Sequence, residues 1–365
     1  MSRLPLISIL ALALFGAGNV TAEDPVLYVY NWSDYIADEV LEQFQAETGI
    51  KVVYDVYDAN EVLEAKLLAG HSGYDLVFPT ARPFAQGHIK AGIYRQLDQS
   101  TLKNYANLDP VIMQNLAEVD AGNAHIVPYM WGTTSIGYNR VKVAEELGSD
   151  SIPESWSLIL DPANAQRLAG CGISLLDDPT EVFAAALIYL GKDPNSSKPA
   201  DLAEATALLQ KVRPYIRYFH SSQYINDLAN GDLCVAHGYS GDILQARDRA
   251  SEAANGVEVM LTIPREGAIL SIDVMAIPAD ATHPENAHRM IDFLMRPEVI
   301  ATITNYVAYA NAIPASLPML DPEVRSDQGI FPPAEVMQSL VSPAELSPAA
   351  QRARTRAWTR FKAGR

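Results

Sequence analysis

A short-period alternation of strand-like and helix-like segments limits what this chain can fold into. Val26-Leu27-Tyr28-Val29-Tyr30 is an apolar run of strand length, residues 38–47 carry Val40, Leu41 and Phe44 at helical spacing, and Lys51–Tyr57 is β-rich again. Residues 60–68 repeat the helical spacing through Val62, Leu63, Leu67 and Leu68, and residues 74–79 give a third strand signal. Gly49 and Gly70 stand where the two helices must stop. A β-α-β-α-β order with such short connections predicts a parallel sheet with right-handed crossovers.

The pattern recurs between residues 133 and 255, with strands expected at 173–176 and 233–237 and helices at 181–190 and 202–212. A chain of 365 residues has room for two units of about 150 each. Between them, residues 128–139 have β composition with no helix directly after, which suggests a strand crossing from one unit to the other; residues 257–264 with 271–278 suggest the return. The expected fold is α/β with two lobes, each a mostly parallel sheet flanked by helices, hinged on two crossing strands. Residues 23–132 and 256–300 are assigned to lobe 1, and residues 133–255 and 301–365 to lobe 2. A Pro-rich surface wrap at 313–348 precedes a final helix holding Arg352, Arg354, Arg356 and Trp358.

Arg3, the apolar run 4–15 and Val20-Thr21-Ala22 read as a secretory signal peptide over residues 1–22, cleaved after Ala22. The apolar run is shorter than the ~20 residues of a membrane-spanning helix. Export to an oxidising compartment favours pairing of the two cysteines, Cys171 and Cys234, over two buried free thiols. With 27 Lys and Arg against 44 Asp and Glu, the net charge is -17. Nucleic acid is therefore an unsuitable partner, and cations are the species attracted at long range.

Catalytic signatures are absent: there is no phosphate-binding loop, no dinucleotide glycine fingerprint and no H-E-x-x-H. No cofactor or metal is expected. Aromatic and acidic residues instead follow the predicted strands, where open α/β sheets bind ligands. Asn31-Trp32-Ser33-Asp34-Tyr35 follows the first strand and Thr80-Ala81-Arg82 the third; Asp178 and Glu181, then Tyr239 and Asp242, follow two strands of the second unit. Aromatic faces and carboxylates together suit an alkylammonium ion. A competing reading, an exported hydrolase of a cationic substrate, would use Asp178 and Glu181, three apart on one helical face, as acid and base.

Longer runs carry a resemblance: Tyr30-Asn31-Trp32-Ser33-Asp34-Tyr35-Ile36, Pro128-Tyr129-Met130-Trp131, residues 217–228, Tyr309-Ala310-Asn311 and Arg354-Thr355-Arg356-Ala357-Trp358. Through them the whole mature chain resembles the periplasmic polyamine-binding proteins of ABC transporters, nearest the putrescine-binding branch. The resemblance implies a two-lobed periplasmic binding protein of type II, a monomer that closes on its ligand and delivers it to an inner-membrane permease, and a disulfide between Cys171 and Cys234. It implies that Trp32 and Tyr35 stack on the polyamine, that Ser33 and Thr80 line the pocket with Asp34 beside it, that Glu181, Asp242 and Asp273 hold the ammonium groups, and that Tyr239 and Tyr309 form further walls. The chain departs from the pattern at four positions. Tyr239 replaces a Trp, Ser271 replaces an aromatic, Arg82 replaces a small or aromatic residue, and Asp178 is an acid where the putrescine type is apolar and the spermidine type acidic. An inward Arg82 would suit a ligand with one amine and one carboxylate, such as an acylated putrescine; an outward one, with Asp178 free, would suit a diamine or a longer triamine.

Overall fold

The computed structural model describes residues 25–365, and the leader read at residues 1–22 lies outside them. Eleven strands alternate with helices among the described residues: β1 Val26–Trp32, β2 Lys51–Tyr57, β3 Leu76–Val77, β4 Ile126–Asn139, β5 Ile173–Leu175, β6 Tyr218–Phe219, β7 Val235–Tyr239, β8 Val259–Thr262, β9 Ala268–Ala276, β10 Ala310–Asn311 and β11 Leu340–Val341. The main path runs β2-β1-β3-β9-β4-β7-β5-β6.

Each lobe is built on a parallel ladder. β1 pairs in parallel with β2, from Val26 opposite Lys51 to Trp32 opposite Tyr57, and with β3. In the second lobe β5 pairs in parallel with β6 and β7. The helix Asp38–Thr48 that joins β1 to β2 buries Val40 and Phe44 and stops at Gly49, whose φ of 70° is open to glycine without strain. The helix Asn60–Leu68 likewise buries Leu63 and Leu67.

β4 joins the lobes without a break. Its first half pairs antiparallel with β9, from Ile126 opposite Ala276 to Thr133 opposite Leu270, with an irregularity between Pro128 and Trp131. Its second half, from Thr134 on, pairs antiparallel with β7 and β8. Two crossing strands thus form the hinge, and they add antiparallel partners to the two parallel ladders.

One core gathers Leu27, Phe44, Leu63, Phe78 and Tyr129 with Val274, Ile291 and Ile303. A second gathers Ile136, Trp156, Phe183, Leu209 and Val235, closed by Ala357, Trp358 and Phe361 of the terminal helix Pro348–Lys362. Ala236 and Val259 pack on the other face of that sheet with Leu228 and Ile243, as the two-residue period of a strand requires. These cores move the lobe borders expected from sequence. The helix Pro297–Val307 turns Val299, Ile300, Ile303 and Val307 into the first core, where Tyr309 and Ile313 join it, so the chain just past residue 300 packs with lobe 1. β8 belongs to the second lobe, and the return crossing begins at β9 rather than at residue 256. Cys171 and Cys234 form a disulfide, with Cα atoms 5.4 Å apart. Among the described residues no helix is long and apolar enough to cross a membrane.

Candidate ligand-binding cleft

The C-terminal ends of β1, β2, β5, β6 and β7 and the segment after β3 open onto one cleft at the hinge, of about 610 Å³ including its mouth. Trp32, Tyr35, Tyr57, Tyr239 and Tyr309 supply its aromatic walls, and Asp58, Glu181, Asp242 and Asp273 supply carboxylates. Ser33, Asn60, Thr80, Thr133, Thr134, Ser221, Ser222 and Ser271 complete the lining with Gly132, and no Lys or Arg takes part.

The aromatic walls are fixed by their polar ends. Trp32 Nε1 donates to the Phe78 carbonyl at 2.8 Å, and its ring lies 4.8 Å from that of Tyr57. From the second lobe, Tyr239 meets Trp32 edge-on with centroids 6.0 Å apart. Tyr309 sits between glycines: a Cβ on Gly241 would fall 2.1 Å from its ring, and one on Gly132 would fall 2.8 Å away. Because its hydroxyl is tied to Asp242, that ring cannot yield, and both positions need glycine.

The carboxylates are held by hydroxyl donors. Asp273, on β9, accepts from Tyr35 at 2.8 Å and from Thr80 at 2.7 Å, and Thr80 is itself held by Asn60 at 2.9 Å. Asp242, in the first turn of the helix Ser240–Ala253, accepts from Tyr224 at 2.7 Å and Tyr309 at 2.8 Å. Glu181, in the first turn of the helix Pro179–Tyr189, accepts from Thr134 at 2.7 Å. Burial disfavours the charged form of each. It pushes Asp242 up to about 7 and Asp273 up to about 6, in both cases against the opposing hydrogen bonds. Glu181 is raised by burial and then by Asp178 beside it.

Three sequence-predicted residues lie elsewhere. Arg82 does not line the cleft: it bonds Asn115 at 2.8 Å and Glu118 at 2.9 Å on its own lobe. Asp178 is buried, but its Oδ1 caps the helix Pro179–Tyr189 by accepting from the amides of Thr180 and Glu181. Asp34 reaches across the lobes to Arg249 at 2.7 Å. Its carbonyl also accepts from Gln245, on the same helix as Arg249. Trp32, Ser33, Tyr35, Thr80, Glu181, Tyr239, Asp242, Ser271, Asp273 and Tyr309 do come together. Tyr57, Asp58 and Asn60 were missed, as were Ser221 and Ser222, and so were Gly132, Thr133 and Thr134, which lie inside the crossing strand β4 rather than at a strand end. The first three end or follow β2, and the two serines follow β6, so the rule applied to the other strands would have found these five. Among the described residues no group of three or more His, Cys, Asp and Glu side chains could hold a metal ion.

Residues 39–332 match the bacterial extracellular solute-binding protein family. The chain is 52% identical over 356 residues to the putrescine-binding periplasmic protein PotF of Escherichia coli, covering 97% of this chain and 96% of that one. It is also 52% identical over 361 residues to the putrescine-binding periplasmic protein SpuD of Pseudomonas aeruginosa, with 98% of both chains covered. Among solved structures, the spermidine/putrescine ABC transporter substrate-binding protein PotD of Streptococcus pneumoniae superimposes with a TM-score of 0.73 at 26% identity, over 93% of this chain and 99% of the other. With its two α/β lobes, crossing strands and interlobe cleft, this chain belongs to the bacterial extracellular solute-binding protein family.

Proposed function

We propose that the protein captures a polyamine, putrescine first, between its lobes in the periplasm and delivers it to an inner-membrane ABC permease. The observation that carries this reading is the buried cleft with five aromatic side chains, four carboxylates and no basic residue in its lining. Tyr35 and Thr80 turn Asp273 inward from the first lobe, while Tyr224 and Tyr309 hold Asp242 in the second. Each carboxylate keeps lone pairs for ammonium N–H groups, and these charge-assisted bonds are the strong ones. An ammonium against Trp32 or Tyr239 gains roughly 0.5 to 2 kcal/mol more. Residues from both lobes complete the box, so the ligand favours the closed arrangement of the two.

The place of Arg82, paired with Glu118, argues against a carboxylate-bearing ligand such as an acylated putrescine. It favours a simple diamine or a longer amine. The hydrolase reading has less support, because Asp178 already caps a helix and Glu181 is tied to Thr134. We therefore read the protein as a binding protein that acts as a monomer without a cofactor.

Calorimetric titration with putrescine tests this reading directly. Putrescine is expected to bind wild type. Asp273→Ala should weaken it by about 1.5 to 3 kcal/mol, the worth of a hydrogen bond to a charged group. Ser33→Ala should cost less, because its hydroxyl already points at the Tyr57 carbonyl. Equal affinities for the two variants would remove Asp273 from the ammonium site, and no uptake of putrescine or any longer amine by wild type would overturn the function.

A further inference from the structure

The terminal helix Pro348–Lys362 buries one face, formed by Arg354, Ala357, Trp358 and Phe361, and the spacing i, i+3, i+4, i+7 is that of a helix with one side turned to a core. Three of these residues are apolar and join the second core. The fourth is a guanidinium, 5% exposed, whereas Arg352, Arg356 and Arg360 of the same helix are exposed. Burying such a charge is costly unless another charge answers it, and a Leu or Met would fill the position at less cost. The charges that answer Arg354 are Asp178 first and then Glu181.

The same helix holds the segment that delivers Glu181 to the cleft. Lys362 donates to both carboxylate oxygens of Asp177 at 2.6 Å, and the Asp177 amide donates to the hydroxyl of Ser221, a cleft residue, at 3.1 Å. Asp178 then caps the helix Pro179–Tyr189, and Glu181 stands in its first turn. Arg354 does not line the cleft; it borders a separate groove between the terminal helix and the helix Pro199–Val212. It therefore acts on Glu181 from outside, while a ligand meets Glu181 from within. The other groups that act on Glu181 are Thr134, which donates to it from β4; the acids Asp178 beside it, Asp273 on β9 and Glu61 on the helix Asn60–Leu68; and the Tyr239 hydroxyl at the end of β7. Burial first, and then Asp178, hold Glu181 above the usual carboxylate range, and Arg354, the positive member of the set, opposes them.

We infer that Arg354 is a positioning residue for the ligand site: a buried countercharge, brought by the terminal helix from outside the cleft, that keeps Glu181 charged for the ligand's ammonium without touching the ligand. The inference rests on the polyamine reading above and adds to it a residue beyond the lining. The size of its effect depends on pH. Where Glu181 is protonated in the empty cleft, binding must first ionise it, and loss of Arg354 makes that step costlier. Where Glu181 is already ionised, no such cost remains.

Calorimetry with putrescine at pH 7 and pH 9 on wild type, Arg354→Met and Arg354→Lys tests it; the diamine stays charged at both, since its amines titrate near the ~10.4 of Lys. Arg354→Met should lose about three- to tenfold in affinity at pH 7, the effect of raising one carboxyl by up to about one pH unit, and less than about twofold at pH 9. Arg354→Lys restores the charge and should follow the pH profile of wild type. In a Glu181→Gln background Arg354→Met should cost nothing at either pH, because the carboxyl it acts through is gone. A loss for Arg354→Met that is equal at the two pH values, or absent at both, would overturn the inference and leave the guanidinium a packing residue. Arg354→Gln is the second uncharged variant; if thermal melting shows neither it nor Arg354→Met folded, the charge serves the fold alone and the inference falls. Wild type that binds neither putrescine nor a longer amine would overturn the proposed function, and this inference with it.

Discussion

Asp242 and Asp273 carry opposite demands on one atom pair. Their folded values of about 7 and about 6 lie above the 3.8 of a solvated aspartate because burial penalises the charge. The folded state therefore holds more protons than the unfolded one between pH 4 and 7, and stability from these two groups falls as pH rises through that interval. An ammonium reverses the preference, so binding must expel those protons. Affinity for a diamine is expected to climb from pH 6 to pH 8, with proton release at pH 7 seen as a dependence of the calorimetric heat on buffer ionisation. Asp242→Asn should melt higher than wild type at pH 8 and bind weakly; a variant that melts lower would mean that the Tyr224 and Tyr309 bonds outweigh desolvation. His237 has the opposite sign. Buried against Trp156 without a hydrogen-bond partner, it is pushed down to about 3. Its contribution is present above pH 6.5 and is lost as pH falls towards 3.

Helices and strands of this fold were largely readable from local pattern, and the site followed from where they end. Val62, Leu63, Leu67 and Leu68 gave the helix after β2 its bounds, because that information lies within nine residues. Strand ends located Trp32, Thr80, Glu181 and Asp242 by the same local logic. Side-chain direction was not readable where it depends on distant partners. Arg82 turns away because Asn115 and Glu118 stand 33 and 36 residues further on. Asp34 meets Arg249 across 215 residues. The two-residue strands β10 and β11 exist only because β4 and β9 offer them edges, which no local pattern encodes. The disulfide belongs to this scale as well, since it ties the turn before β5 to the start of β7 over a separation of 63 residues. Chain-entropy reasoning assigns it roughly 4 kcal/mol, as an upper figure. Cys171→Ser combined with Cys234→Ser should lower the urea midpoint accordingly without changing ligand preference; an unchanged midpoint would mean that the unfolded chain is already restrained there.

Closure of the whole molecule rests on few direct ties between lobes outside the cleft. Arg249 reaches Asp34 and, by its other nitrogen, Asn226 at 2.8 Å, so one guanidinium links the first lobe to a helix of the second. Lys90 pairs with Glu345 of the C-terminal wrap, a second tie. These pairs touch no lining residue of the cleft, so they should act on all ligands alike. Arg249→Ala is expected to weaken putrescine and spermidine by the same factor, about two- to fivefold for a partly exposed pair. Small-angle scattering should show a larger radius of gyration for that variant at subsaturating ligand. A change in ligand ranking would place Arg249 in recognition instead. The net charge of -17 adds a kinetic effect: cation capture should slow as salt is raised, through the association rate.

The terminal helix has a consequence for how the protein is made. Ala357, Trp358 and Phe361 come later in the chain than the other residues of the second core, which they close against Phe219 and Phe183. The first core, by contrast, is complete once Ile313 is present. A chain that ends before Ala357 can therefore assemble one lobe while the other stays open to proteases. Biogenesis of the ligand site is thereby tied to the helix Pro348–Lys362: the half that supplies Glu181 and Asp242 stays unsealed until that helix packs.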